Sequence, residues 1–420
     1  MTKSARPLEG IRVLEMGRLI AAPFCAQILG DLGADVIKLE RTGPGDDVRT
    51  YGPPFLPDDD LPGAASSFYL SYNRNKRSVA VDFSQPEGAE LIRSLASKCD
   101  VFIENFKVGG LKKYGLDEEG LRKVNPELIY LSVSGFGQHG PYAARPATDV
   151  AVQGMSGLMS ITGEPDGPPS KVGVSVVDMV TGLYGVIAII SALYRKVAAK
   201  EGGSWAAVSL LDCGMSLMGS PAITQHLTGV TPMRAGNLAA GNAPSGLYPC
   251  RNGEVLIQAG KDADFAKLCR VLGLESLIED PRFARKAQRV VNCDALNAIL
   301  TEAMAKWDRN DFYNALIEGG IICAPVNDMQ QALSDPQVLA NGIEVPGGHP
   351  DDPSLKLITS PLRFDGEAPP ILRHPPRLGE HTAEVLGELL DMGPAEIAAL
   401  ADKGVVGLLK ARGKALSPAT

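Results

Sequence analysis

Residues 10–41 read GIRVLEMGRLIAAPFCAQILGDLGADVIKLER, and the apolar period changes twice along them. Residues 11–15 follow a strand pattern, about 22–32 a helical one, and 35–40 a strand pattern again. This is a β-α-β unit, which favours a parallel sheet. A second unit follows in RSVAVDF (77–83), PEGAELIRSLASKCD (86–100) and VFIENF (101–106), with Pro86 suited to a first helical turn. LIYLSVSGFG (128–137) adds a strand. The carboxyl ends at residues 40, 83, 106 and 134 are therefore predicted along one edge, where open α/β sheets form their ligand crevice.

Farther along, SKVGVSVVDMVTGLYGVIAIISALY (170–194) places one carboxylate, Asp178, among apolar and small residues. Asp178 has the type and position of a helix N-cap, yet a helix amino terminus would equally orient a nucleophilic carboxylate with no lysine or arginine near it in sequence. The apolar run that follows, 180–194, is shorter than the roughly 20 residues a bilayer demands, so a fully buried core helix is expected. Residues 201–218 predict a strand and a helix. The Gly, Ala, Pro and Asn content of about 221–250 predicts a loop. A strand at 253–260 and helices at 262–274, 294–307 and 311–320 outline a smaller domain over 225–330. Residues 356–368 read as extended, and GEHTAEVLGELL (379–390) starts a helix near His381 or Thr382.

The composition narrows the function classes. With 420 residues, 45% apolar and 21% charged, the chain has material for two folded domains. A formal charge of -8 and only 5% aromatic residues argue against nucleic acid and anionic lipid as partners. Seven cysteines without a CxxC pair point to unpaired thiols in a reducing cytoplasm. Five scattered histidines, among them His139 in a Gly-Pro loop, suggest no metal centre.

The first βα turn, EMGRLIAAPFCAQ, lacks the GxGxxG of a dinucleotide site, which argues against hydride transfer. Arg41 and Arg49 flank two glycines in IKLERTGPGDDVR (37–49) and have the chemistry for phosphate, although a charged surface loop has the same composition. NRNKRS (73–78) and KVGGLKKYG (107–115) are further basic clusters near strand ends, of a kind that is most often solvated.

Taken together, PLEGIRVLEMGRLIAAPFCAQILGDLGADVIKLER, GPGDDVR, NRNKRSVAVDF, VFIENFKVGGLKKYGL, PELIYLSVSGFGQHGPYA, GPPSKVGVSVVDMVTGLYG, GIICAPVNDMQQALSDPQV and LGEHTAEVL resemble the class III CoA-transferase family from residue 7 to about 387. That family includes formyl-CoA:oxalate, carnitine and bile-acid CoA-transferases and α-methylacyl-CoA racemase. The resemblance implies an α/β fold with a large Rossmann-like CoA-binding domain, residues 1–205 with 330–420 returning to it, a small α/β domain at 225–330, and an interlocked homodimer. It also implies a cytoplasmic enzyme with no permanently bound cofactor, using acyl-CoA and a small carboxylic acid as substrates.

By the same resemblance Asp178 is the catalytic aspartate, passing through an acyl-aspartyl anhydride and an aspartyl-CoA thioester. Ile20 and Ala21 fall at ligand contacts and Arg41 at a CoA-binding position. Asp82, Phe83 and Ser84 match the adenosine end, Asn105, Phe106 and Lys107 the CoA arm, and Lys113 a position often arginine. Ser134, Gly135, Phe136 and Gly137 match the loop beside the thioester, whose amides would stabilise an oxyanion.

Three departures shape the expectation. Ile20 stands where the oxalate enzyme has glutamine, which argues against oxalate. AAGNAPSG (239–246) only partly matches that enzyme's glycine loop. The triplet 147–149 is Ala-Thr-Asp where the racemase has a histidine, so racemisation is the alternative and CoA transfer the expectation. A CoA-binding relative without turnover is a third reading, against which Asp178 speaks. Succinyl-CoA with a dicarboxylate or hydroxy dicarboxylate is the expected substrate pair, and Arg18, Arg49 or Arg145 could clamp a distal carboxylate.

Overall fold

The computed structural model describes residues 6–56, 65–238 and 241–409. They form two compact units, Met1–Leu158 with Val172–Ser220 and Gly342–Thr420, and Met159–Lys171 with Pro221–Asn341.

The larger unit runs β1 (Arg12–Met16), α1 (Ala21–Asp31), β2 (Asp35–Glu40), α2 (Ser67–Tyr72), β3 (Lys76–Val81), α3 (Pro86–Ala96), β4 (Val101–Glu104), α4 (Glu118–Val124), β5 (Ile129–Ser134), α5 (Asp149–Met155), α6 (Val176–Ala199), β6 (Trp205–Ser209) and α7 (Leu210–Leu217). The sheet order is β3-β2-β1-β4-β5-β6, all parallel, with Val406–Gly407 antiparallel on the outer edge of β3. The order reverses between β1 and β4, and the loops after these strands flank the switch point.

The central strands are covered on both faces, and β3, β4 and β5 are buried at every position. One face packs α3, α4 and the helices Thr382–Leu390 and Pro394–Asp402 through Ile92, Leu95, Leu121, Val385 and Ile397. The other packs α1, α5, α6 and α7 through Cys25, Leu29, Val152, Val186 and Leu210. On that second face α1 and α6 approach through glycine. A Cβ on Gly182 would lie 2.9 Å from the Ala21 carbonyl oxygen, and one on Gly185 3.0 Å from Cys25 Sγ. Residues 21 and 25 meeting 182 and 185 make the helices run parallel, so both amino termini rise at the carboxyl edge of the sheet.

The strand centres also carry buried charge. Lys38 Nζ bonds Glu15 Oε1 at 3.2 Å, Asp46 Oδ2 at 2.9 Å and the Gly17 carbonyl at 3.0 Å. Lys76 Nζ bonds Glu15 Oε2, the Pro23 carbonyl and Asn73 Oδ1. Arg49, fully buried, grips both Glu40 oxygens at 2.6 and 2.7 Å, stacks on Tyr69 and bonds the Pro376 carbonyl. Gly45 admits this side chain, since a Cβ there would meet Arg49 Cδ at 2.8 Å.

Several expectations are corrected here. Arg49 faces no ligand, because the Glu40 carboxylate uses it. The 73–78 cluster is not solvated: Arg74, Lys76 and Arg77 are buried, paired with Asp31, Glu15 and Asp35. Helix α6 is not fully buried, for Leu183, Tyr184, Ile187, Ile190, Tyr194 and Val197 are exposed along one face of the chain. It is long and apolar enough to cross a membrane by length and composition, but its other face is core packing. The 221–250 stretch is not all loop, since it holds most of helix Gly219–Thr228 and strand Ser245–Cys250.

In the smaller unit, that strand, Gly253–Gln258 and Ile322–Pro325 form an antiparallel sheet. Its apolar face packs helices 262–272, 293–304 and 309–318 through Phe265, Leu268, Leu300 and Phe312. Of the loop 239–246, residues 239 and 240 lie outside the described residues.

Replacing Lys38 by Met would leave Asp46 an uncompensated buried charge, while Glu15 keeps Lys76, at a cost of about 3–5 kcal/mol. Urea unfolding should show this as a lowered midpoint with an unchanged slope.

Candidate functional site

Asp178 is the third residue of α6 rather than its cap. The residue before the helix, Ser175, makes no side-chain capping bond. The capping carboxylate comes from another helix: Asp149 Oδ2 accepts the amides of Val177 at 2.8 Å and Asp178 at 3.1 Å. Asp149 opens α5, its other oxygen receives Gln153 Nε2, and Gln153 Oε1 in turn accepts the Val172 amide at 2.9 Å. A three-part brace thus fixes the start of α6.

Asp178 lies on the stripe of Gly182, Gly185 and Ile189, one turn above the contact with Ala21. It is half-buried. Desolvation, then the Asp149 charge, raises its carboxyl to about 7. Among the described residues it forms no salt bridge with a lysine or arginine. Tyr72, edge-on to Phe24 at 5.8 Å between ring centroids, has its phenol raised by desolvation and then by the charges of Asp178 and Asp149.

The 134–137 loop reaches the same neighbourhood. Ser134 ends β5, Gly135 packs against Ala147 with no room for a Cβ, and the Gly135 carbonyl accepts the Leu211 amide. Phe136 sits edge-on to Tyr142. Gly137 takes φ 88°, and its amide donates to Ser134 Oγ at 3.1 Å. That amide is satisfied inside the loop.

Ile20 and Ala21, expected at ligand contacts, are buried at the start of α1, with Ala21 in the core beneath α6. Asn105 ties the switch point together: its Oδ1 accepts the Arg18 amide at 2.8 Å and its Nδ2 donates to the Arg18 carbonyl at 2.7 Å. Arg41, Phe83 and Phe106 line a small crevice with Arg18, Gly45 and Asp46. Phe83 meets Phe106 and Tyr114 edge-to-face at 5.6 and 5.2 Å.

Asp82 and Ser84 turn away into a local bond, Ser84 Oγ donating to Asp82 Oδ1, which with further bonds from Ser84 and Gln85 holds the Asp82 carboxyl below its usual range. Lys113 Nζ lies 4.6 Å from the centre of the Tyr114 ring. Lys107 falls in a separate pocket of about 690 Å³, with Glu104, Tyr130 and Trp205. Glu104 there is raised to about 7 by burial. His139 is exposed, and Arg145 lies over Tyr142. Among the described residues no cluster of three His, Cys, Asp or Glu side chains could hold a metal ion.

Asp149 is the functional residue that sequence reasoning passes over. In the sequence, the triplet 147–149 stands out for the histidine it lacks. The available signal was an aspartate four residues before a glutamine at a helix start.

The sequence profile described as CoA-transferase family III matches residues 8–382. Succinate–glutarate CoA-transferase of Agrobacterium fabrum is 40% identical over 383 residues, covering 91% of this chain and 96% of that protein. Human succinyl-CoA:glutarate CoA-transferase is 36% identical, covering 96% and 90%. The crystal structure of a CAIB/BAIF family protein from Brucella suis superimposes with a TM-score of 0.83 at 40% identity, over 92% of this chain and all of that one.

The raised Asp178 carboxyl carries a stability signature. As pH rises from the ordinary value of 3.8 to about 7, the unfolded chain ionises first and the folded state loses stability, and the loss persists above pH 7. Asp178→Asn should therefore raise the thermal midpoint at pH 8 and leave it nearly unchanged at pH 4. Asp149→Ala, which strips the cap from α6, should lower it at both by the equivalent of about 1–2 kcal/mol.

Proposed function

The chain belongs to CoA-transferase family III, and on that premise we propose that it moves CoA from succinyl-CoA to a small dicarboxylate, with Asp178 as the nucleophile. The observation that carries this reading is a half-buried carboxylate, free of any cationic partner among the described residues, at a braced helix start on the carboxyl edge of a Rossmann-ordered sheet.

Asp178 Oδ attacks the donor thioester carbonyl. The C–S bond breaks, CoA leaves as thiolate, and an acyl-aspartyl anhydride remains. The thiolate attacks the aspartyl carbonyl, releasing the donor carboxylate and leaving aspartyl-CoA thioester. The acceptor carboxylate attacks that thioester and expels the thiolate again, which then takes the new acyl group and frees Asp178. No proton is consumed in the sequence, so its pH dependence reports whether Asp178 begins ionised. The desolvation that raises its pKa also removes the hydration shell that would blunt its attack. The helix amino terminus partly offsets the cost of ionising it, and Asp149 opposes that effect while fixing the backbone.

CoA would lie along the strand-end loops: Arg41, Phe83 and Phe106 in the crevice, Asn105 holding its floor, and Lys107, Lys113, Asp82 and Ser84 at its margins. Ile20 and Ala21 would meet the ligand through backbone, since their side chains are buried. The larger unit would be the CoA-binding domain. Relatives named succinyl-CoA:glutarate and succinyl-CoA–D-citramalate CoA-transferase support succinyl-CoA as donor. Racemisation is not favoured: Thr148 stands where a second base would be needed, and His139 is exposed. The apolar outer stripe of α6 supports a homodimer, and seven free thiols support a reducing, cytoplasmic setting.

The test is a panel of acyl-CoA donors and dicarboxylic acceptors, with mass spectrometry for an acylated or CoA-bearing peptide containing Asp178. New CoA esters and a modified Asp178 are expected. Asp178→Ala that keeps full exchange, or deuterium uptake at the α-carbon without transfer, would overturn the reading. The first-order exchange rate should climb with pH through a single ionisation near 7, falling about tenfold per unit below it. In Asp149→Asn that midpoint should move down, because one of the two causes raising it is gone.

A further inference from the structure

Asp46 and Asp47 are consecutive but belong to different parts of the molecule. Asp46 points inward, accepting from Lys38 Nζ and from the amides of Leu19 and Val48, and is buried. Asp47 turns outward and has its ion pairs with the two arginines that line the switch-point crevice. Its Oδ2 lies 3.4 Å from Arg18 Nη1, and its Oδ1 accepts from Arg41 Nη2. Arg41 Nε is anchored on the Gly45 carbonyl at 3.2 Å, and the Arg18 guanidinium lies 4.7 Å from the centre of the Phe106 ring. Arg18 Nε is shielded from solvent and lacks a hydrogen-bond partner among the described residues.

Two guanidinium groups therefore share one carboxylate, leaving one net positive charge and donors in excess of acceptors. A phosphate brings two negative charges and three acceptor oxygens in the geometry that guanidinium groups match. Taking Arg41 at the CoA-binding position that the family resemblance implies, we infer that Arg18 joins it in a two-arginine seat for a phosphate of the CoA nucleotide, and that Asp47 is a resident counter-anion which the phosphate displaces. This rests on CoA being the substrate, as proposed above.

Asp47 serves the unliganded state. It holds two like charges side by side, where they would otherwise repel, and it keeps the crevice from retaining unrelated anions. Its hold is weak, since all three side chains are more than a third exposed and such pairs contribute little in water. Asp46 makes the arrangement reproducible: locked into the Lys38 network, it sets the backbone from which Asp47 projects.

The experiment is calorimetric titration of the full chain with CoA, 3′-dephospho-CoA and pantetheine, at low and high salt. Arg18→Ala and Arg41→Ala should each weaken CoA about tenfold and leave pantetheine unchanged. Asp47→Asn should tighten CoA by roughly threefold at low salt, with the gain fading as salt screens it. If the arginine effects vanish with dephospho-CoA, the seat takes the 3′-phosphate. If they persist there, it takes the diphosphate. An Asp47→Asn chain that binds CoA no better, or an Arg18→Ala chain that loses pantetheine equally, would overturn the seat. Failure of the unaltered chain to bind CoA would instead remove the proposed function beneath it.

Discussion

The ion network of Glu15, Lys38 and Asp46 is the constraint on which the architecture of the site depends. Glu15 on β1 lies directly opposite Lys38 on β2, and both are fully buried. Such charges are tolerated only when each finds its partner, so strand register and loop position are set together. Through the Gly17 carbonyl, Lys38 holds the turn after β1, and through Asp46 it holds the loop after β2. Leu19, at φ 63°, donates its amide to the same Asp46. A non-glycine residue in that backbone region persists where its surroundings over-determine it.

A second level of organisation rests on small residues. Gly182 and Gly185 let α6 lie against α1 at backbone distance, which brings two helix amino termini to the same edge of the sheet. Asp149 then completes what neither helix supplies alone, a carboxylate acceptor for the first amides of α6. One aspartate is spent on structure so that its neighbour can stay unpaired. The same division recurs at positions 46 and 47, where the inner carboxylate serves the frame and the outer one faces the crevice.

The regular elements were legible because their signals are local. Alternation in β1 and β2, helical spacing in α1 and α3, and Pro86 at a first turn all act within a few residues, and each is found where the pattern puts it. Element ends were less so: β3 and β4 stop two residues before the predicted edge, at Val81 and Glu104. Buried charge was misread, since Arg49, Arg74 and Lys76 look like solvated or ligand-binding groups until their partners are known, and those partners lie 9, 43 and 61 residues away. For the candidate site, Asp178, Arg41, Phe83 and Phe106 stood out from motif resemblance. Asp149, Asp47 and Tyr72 did not, because their meaning lies in what they touch.

The sequence by itself determined the order of strands and helices, the family resemblance, and the one carboxylate worth weighing in an apolar helix. Tertiary structure alone decided that this carboxylate is not the cap, that another helix caps for it, and which arginines are committed to the core. The reason is range: periodicity and turn chemistry act along a few residues, whereas desolvation and charge pairing depend on atoms that only folding brings together.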